Sequence, residues 1–447
     1  MNLGFIGVGY VGLVTGAVQA EGGHHVTCLD IDEQKINSLN QGVMPFFEPG
    51  LEELVKRNVL AGRLKFSCNY PETIKANDIF FICVDTPSKE DGTAELKYVK
   101  SVAETIAKYM NGRKIIVNKS TVPPGTAKLV HEYVTNELNK RNENHPFSIV
   151  SNPEFLAEGS AVSDCLNPDR VVIGASDNAA RDQMVKLYTD IKIPRDKIVT
   201  TDTTSAEMGK YASNLLLASK VSLINELANI SEKYGADIDE VAGIVGKDNR
   251  IGSKFLRAGP GFGGSCFPKE LAAIQHIAKK VGCSASVSHA VKRVNKRQKK
   301  VLGNKIIDHF KESGPAGKTV AVLGLSFKPK TDDMRQAPSI VLVKQLLREG
   351  FKVKVYDPMA MSNAKKILGE KCSIEWCVDL NTVAKDADAL ALVTEWDEFR
   401  EMDLAGVKES MKGNAFFDSR RLFDPELMAK HGFYYSCIGR APINVEA

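Results

Sequence analysis

Short, almost wholly apolar runs alternate with helix-spaced patterns through the first 200 residues. The runs at 3–6, 26–29, 79–84, 115–117 and 171–173 are rich in β-branched and aromatic side chains and lack polar alternation. That is the pattern of strands covered on both faces. Strands alternating with helices predict right-handed βαβ units and a parallel sheet. From about 204 to 234 the pattern stretches into one helix, about 45 Å long. Ser205 is its predicted N-cap, Glu207 lies near its positive end and Gly235 terminates it. Its middle, Leu215-Leu216-Leu217-Ala218, is apolar on several faces, which predicts burial nearly all round. The helix reads as a spine between two outer domains and as part of a subunit interface. Shorter helices continue to about 300, where the stretch 292–300 is basic. A second alternation begins near 318: Thr319-Val320-Ala321-Val322-Leu323-Gly324-Leu325, then Val353-Lys354-Val355-Tyr356-Asp357-Pro358, then runs at 389–394 and 415–418. Strand, glycine turn, helix, strand and aspartate recur in the order seen at the start.

The length of 447 residues exceeds what one core covers, so two or three domains are expected. With 59 basic and 55 acidic residues the net charge is only +4, which gives no case for nucleic-acid binding. The nine cysteines form no CxxC pair, so neither a zinc site nor a redox pair is expected, and free thiols suit a reducing, cytoplasmic location. Cys28 and Cys83 fall in apolar runs and read as core residues. The opening Met1-Asn2-Leu3-Gly4-Phe5-Ile6 enters a strand at once, so no targeting segment is expected. The longest apolar candidate, around 215–230, is interrupted by Lys220 and Glu226, so no membrane span is expected.

Gly7-Val8-Gly9-Tyr10-Val11-Gly12 follows a predicted strand and opens a helix. In such a fingerprint the first glycine makes the tight turn, the second lets the backbone meet a pyrophosphate, and the third lets helix pack on strand. Asp30 ends the next strand, where a carboxylate binds ribose hydroxyls and repels a 2′-phosphate, favouring NAD over NADP. Lys35 adds a contact. The competing readings are a turn that only packs and a flavin site. Thr86-Pro87 and Ser120-Thr121-Val122-Pro123-Pro124-Gly125-Thr126 each follow a strand, either facing the ligand or making ordinary turns.

The run Gly261-Phe262-Gly263-Gly264-Ser265-Cys266-Phe267-Pro268-Lys269 delivers a thiol at the end of a glycine turn, with a cation three residues on. A nearby cation favours the reactive thiolate, whereas a lone cysteine reads as an inert core thiol. Asn152-Pro153-Glu154-Phe155-Leu156-Ala157-Glu158-Gly159 offers two carboxylates at helical spacing, either to activate water and orient a nicotinamide or as a solvated helix start. Lys210 and Asn214 share one face of the long helix, as oxyanion donors or as a polar packing network. Arg250 and the run Phe255-Leu256-Arg257-Ala258-Gly259 precede the cysteine loop, and arginines there suit a diphosphate or are surface charge. Phe327-Lys328-Pro329-Lys330-Thr331-Asp332-Asp333, with Arg335 beyond it, has the makeup of a phosphate loop or of a solvated charged loop.

In order, GVGYVG, STVPPGT, NPEFLAEG, the Lys210–Asn214 helix, GFGGSCFPK and FKPKTDD resemble the UDP-glucose/GDP-mannose dehydrogenase family over nearly the whole chain. Phe267 after the cysteine resembles the members that act on UDP-glucose, rather than those for GDP-mannose or UDP-N-acetylmannosamine. The resemblance implies two Rossmann-like, doubly wound parallel-sheet α/β domains joined by a long central helix and a helical dimerisation domain. Residues 1–200 would bind NAD, 201–300 would form the homodimer and 301–447 would bind the UDP-sugar. It implies a four-electron oxidation of UDP-glucose to UDP-glucuronate for polysaccharide biosynthesis. Two NAD would be used, through a cysteine thiohemiacetal and thioester. Other nucleotide sugars, or a non-catalytic sensor of NAD and UDP-sugars, are the alternatives. Cys266 would be the nucleophile, Lys210 and Asn214 would steady oxyanions, and Thr121, Glu154, Glu158 and Glu270 would lie near the reacting carbon. Gly7, Gly9, Tyr10, Val11, Gly12, Asp30, Lys35, Thr86, Thr121, Glu158, Lys269 and Arg335 would touch NAD. The sugar nucleotide would be held by 154–158, Lys210, Asn214, Phe255, Leu256, Arg257, Ala258, Gly259, Gly263 and Lys328, with Arg250 lent by a partner subunit. No metal is implied. Glu270 stands where the family usually has aspartate, and Asp418-Ser419-Arg420-Arg421 stands where it often has Asp-Gly-Arg-Asn.

Overall fold

The computed structural model describes residues 1–89, 91–369 and 374–444. The backbone divides into two units, residues 1–213 with 272–282 and residues 214–271 with 283–447.

The first unit is built on an eight-stranded sheet: β1 (Asn2–Ile6), β2 (His25–Leu29), β3 (Leu64–Ser67), β4 (Ile79–Ile82), β5 (Lys114–Asn118), β6 (Phe147–Ser151), β7 (Val171–Ala175) and β8 (Ile198–Thr201). Their order is β3-β2-β1-β4-β5-β6-β7-β8. The first six are parallel, as the alternation predicts. The parallel expectation fails at β7, which pairs antiparallel with β6, and β8 runs parallel to β7. The helix joining β6 to β7, Ala161–Leu166, has six residues. Two apolar clusters cover the faces of the sheet, one around Phe5, Leu13 and Phe81 and one around Phe80, Ile106 and Val130. Cys28 and Cys83 are buried, as their apolar surroundings predict.

In the second unit a six-stranded, wholly parallel sheet comprises β9 (Thr319–Leu323), β10 (Lys352–Tyr356), β11 (Ile374–Trp376), β12 (Ala389–Leu392), β13 (Ala415–Asp418) and β14 (Tyr434–Cys437). Its order, β11-β10-β9-β12-β13-β14, repeats the β3-β2-β1-β4-β5-β6 order of the first unit. Both are the doubly wound arrangement whose ligands sit at the carboxyl ends of the strands where the order reverses.

The long helix runs from Thr203 to Tyr234. Asp202, not Ser205, caps it, accepting from the Ser205 backbone N–H at 2.8 Å. The burial predicted nearly all round is incomplete within a single chain. Leu216, Leu223 and Ile230 are 66%, 59% and 50% exposed, while Ala218, Ile224 and Ala228 on other faces are buried. No helix among the described residues is long and apolar enough to cross a membrane.

Candidate active site

The fingerprint glycines do separate jobs. Gly7 has a φ of 101°, and a Cβ there would lie 2.7 Å from the Cys83 carbonyl oxygen. A Cβ on Gly12 would lie 1.9 Å from the Gly7 carbonyl oxygen, so the helix Tyr10–Glu21 packs at backbone distance. A Cβ on Gly9 meets nothing within 4 Å. Gly9 is the N-cap of that helix, so the open space lies where helix N–H groups receive an anion. Asp30 accepts from the Val8 N–H at 2.8 Å, the Asp32 N–H at 3.1 Å and the Lys35 ammonium at 3.1 Å. Burial raises the cost of its charge, yet these donors outweigh it and hold its carboxyl below the ordinary value. The matching Asp357 of the second unit is more fully occupied. It accepts from the N–H groups of Leu325, Ser326, Met359 and Ala360 and from the Trp396 indole. The second repeat thus uses its aspartate to build the turn, and the first keeps the opening that fits a dinucleotide.

Thr86 and Thr121 are buried beside each other, the Thr86 hydroxyl donating to the Thr121 carbonyl at 2.8 Å. Glu154 is 8% exposed and pairs with Lys210, 3% exposed, at 2.9 Å. Its other oxygen accepts from the Leu156 N–H at 2.6 Å. Burial opposes the Glu154 charge, but Lys210 and the Leu156 amide hold its pKa below the ordinary value. The helical face expected of Glu154 and Glu158 is not there. Residues 152–157 are irregular and 158–160 form a turn. Pro153 disfavours the helical conformation before it, and Glu48, buried and unnoticed in the sequence, takes the N–H groups of Gly159 and Ala161. One carboxylate oxygen of Glu158 is buried. The Phe155 ring lies 3.7 Å from the Arg170 guanidinium and 5.4 Å from the Lys210 ammonium. The Ala157 N–H donates to Asp164, so the backbone amides of Leu156 and Ala157 are already engaged.

In the second unit Cys266 immediately precedes the helix Phe267–Lys280 and accepts, through its carbonyl, from the Glu270 N–H at 2.9 Å. It therefore sits at the positive end of that helix, which favours a thiolate. Its Sγ lies 3.5 Å from the Ser265 hydroxyl. Lys269 is half-buried in the first helical turn. Glu270 is 3% exposed and accepts from the Asn214 amide at 2.6 Å. Phe267 packs with Phe262, Leu215 and Leu271, and so acts on the loop through packing. The loop is held from behind by groups that the sequence did not single out. Asn295 exchanges two hydrogen bonds with the Phe262 backbone. Asn225 and Gln298 take both backbone groups of Gly259, so Gly259 offers space rather than hydrogen bonds. Buried helix amides spaced three apart, Asn295 and Gln298, were the available signal.

The loop 327–336 is laced to the cysteine loop within this unit. The Gly264 N–H donates to the Arg335 carbonyl at 2.7 Å, and a Cβ on Gly263 would lie 2.7 Å from the Gln336 carbonyl oxygen. Lys299 donates to that same oxygen at 2.7 Å. Lys328 lies over the Phe327 ring, and Arg335 pairs with Asp333 at 2.8 Å. Phe255 has a φ of 65°, strained for a bulky residue, while Leu256 and Ala258 are buried in the core. Arg257 donates to the Arg420 carbonyl at 3.3 Å. Arg250 is exposed and paired with its own Asp248 at 2.6 Å. Arg421 is buried, clasping Asp239 and the Ala258 and Ile438 carbonyls, and Arg420 reaches the Phe327 carbonyl. Among the described residues no cluster of metal-ligating side chains occurs.

Three consecutive family descriptions match the chain. They are the UDP-glucose/GDP-mannose dehydrogenase family NAD binding domain over residues 1–192, central domain over 204–297 and UDP binding domain over 321–425. The UDP-glucose 6-dehydrogenase TuaD of Bacillus subtilis (strain 168) is 45% identical over 99% of this chain and 94% of its own. A UDP-glucose dehydrogenase structure from Pyrobaculum islandicum is 35% identical with a TM-score of 0.90, covering 98% of each chain. A UDP-D-ManNAc dehydrogenase structure from Pyrococcus horikoshii is 26% identical with a TM-score of 0.86, covering 99% of this chain and 100% of its own. With a dinucleotide turn, a thiol at a helix start and a second doubly wound sheet in the matching order, the chain belongs to the NAD-dependent UDP-glucose/GDP-mannose dehydrogenase family.

Proposed function

We propose that the chain oxidises UDP-glucose to UDP-glucuronate through a covalent bond to Cys266. The observation that carries this reading is the Cys266 thiol at the start of a helix, beside a buried Glu270 that Asn214 holds. Glu270 in turn lies one helical turn beyond the thiol. Bound NAD supplies a hydride acceptor, and a primary alcohol needs two of them to become a carboxylate. As the first hydride leaves C6, the hydroxyl proton is lost and an aldehyde results. The Cys266 thiolate then bonds to that carbon as the carbonyl π pair moves to the oxygen, giving the oxyanion of a thiohemiacetal. Lys210 and Asn214 stabilise the negative charge on that oxygen. As a second hydride leaves that carbon, the oxyanion closes to a carbonyl and leaves a thioester. Water deprotonated by Glu154 or Glu158 attacks it, the C–S bond breaks, the thiolate is released and the acid forms. Covalent attachment divides one hard step into two easier ones.

The same reading gives Gly7, Gly9, Tyr10, Val11, Gly12, Asp30, Lys35, Thr86, Lys269 and Arg335 to NAD. Phe255, Arg257, Gly263 and Lys328 go to the sugar nucleotide, and the tripartite division falls near 200 and 300. A homodimer is proposed through Leu216, Leu223 and Ile230, spaced by seven on one exposed face, with a second copy of the same helix as occupant. The described cysteines are all free, in keeping with a cytoplasmic enzyme. A panel of UDP- and GDP-sugars, read by NADH absorbance and product analysis, tests the substrate. Two NADH per UDP-glucose are expected. Preference for another sugar, release of aldehyde at one NADH per sugar, or no turnover with any sugar would overturn the reading.

A further inference from the structure

Glu207, on the first turns of the long helix, is 3% exposed. Its carboxylate accepts from the Gly125 N–H at 2.7 Å and from the Ala127 N–H and the Ser151 hydroxyl, both at 2.9 Å. Gly125 is the N-cap of the helix Thr126–Lys140, with a φ of 92° and no side chain to donate an acceptor. Glu207 provides that acceptor from a distant part of the sequence. Burial pushes its pKa up, while the donors around it oppose the rise. A second tie runs beside the first. Three residues beyond Ser151 is Glu154, three residues beyond Glu207 is Lys210, and these two pair at 2.9 Å.

We propose that Glu207 is a positioning residue for the oxidation. It fixes the height and rotation of the long helix against the end of β6 so that the Lys210 ammonium meets Glu154. The same carboxylate pins Gly125, at the end of the loop that carries Thr121. The proposal rests on the reading in which Lys210 serves the reaction.

Glu207→Gln keeps the shape but turns one acceptor into a donor facing backbone N–H groups. Ser151→Ala removes one of the three bonds. With UDP-glucose and NAD, Glu207→Gln is expected to lower kcat by about 100-fold, the size of effect seen when reacting groups shift by an ångström. Both KM values should stay within about threefold, and deuterium at C6 should give a larger isotope effect than in wild type. The double variant Glu207→Gln with Lys210→Ala is expected to be no slower than Lys210→Ala alone. Wild-type kcat with a lowered melting temperature would make Glu207 a structural cap only and overturn the proposal, as would losses that multiply in the double variant. Should Glu207→Gln not fold, Ser151→Ala decides: a lower kcat at unchanged KM supports the proposal, and an unchanged kcat overturns it. Lys210→Ala turning over like wild type would instead overturn the activity reading itself.

Discussion

Buried polar side chains in this chain are held by partners that the sequence places far away. Glu270 shows how one methylene is absorbed. Where family members usually have aspartate, the longer side chain here reaches Asn214 at 2.6 Å. Glu270→Asp draws the carboxylate back by about one bond length, and kcat is expected to fall about tenfold in steady-state assays. Lys299 gives a pH test. Burial pushes its pKa down to about 8 from a reference of 10.5. The unfolded chain therefore binds the extra proton between those values, so stability gains with rising pH across that window. Below pH 8 the full burial penalty applies. Relative to Lys299→Met, wild type is expected to gain up to roughly 3 kcal/mol between pH 8 and 10.5 in denaturant melts. A difference that stays flat with pH would contradict the assignment. The placements of Cys266 before a helix, Lys210 on the long helix and Asp30 after β2 were legible in the sequence because each follows a local pattern. Glu48, Glu207 and Asn295 were not, because their partners lie about 30 to 110 positions away.

Elements were legible in proportion to how fully they are buried. β1, β4, β5 and β9 are nearly continuous apolar runs and lie inside their sheets. β3, β8, β11 and β14 lie at sheet edges. There exposed or half-exposed positions break the run, as Lys65 does in β3. The turn of β7 against β6 was hidden because the composition of a strand does not carry its direction. The fingerprint offers a paired test. Gly12→Ala places a methyl within 1.9 Å of the Gly7 carbonyl oxygen, so it is expected to destabilise the fold by about 2 kcal/mol or more. Gly9→Ala meets no protein atom within 4 Å and keeps an ordinary φ of −88°. It should leave the melting temperature unchanged while weakening NAD by about tenfold or more, measured by calorimetric titration. Loss of stability at Gly9, or undiminished NAD affinity, would contradict the separate roles.

Across the whole molecule, two sheets share one strand order but not one use of their aspartates. That repeat was visible in the sequence as a rhythm, while the saturation of Asp357 depends on donors such as Trp396 that no local pattern announces. Which apolar face of the long helix lies in the core and which is left exposed in a single chain was not legible, because apolarity alone does not distinguish a core from an interface. Leu223→Glu is expected to shift the molecular mass by light scattering from a dimer to a monomer of 48.9 kDa, and an unchanged mass would remove the stripe from the interface. The central claim is the bond between Cys266 and the sugar. Its most direct measurement is rapid-quench mass spectrometry of the Cys266 peptide during turnover, in wild type and in Glu154→Gln. The account requires a sugar-acyl adduct on that sulfur, more abundant in Glu154→Gln. UDP-glucuronate accumulating with the Cys266 peptide unmodified throughout would contradict it.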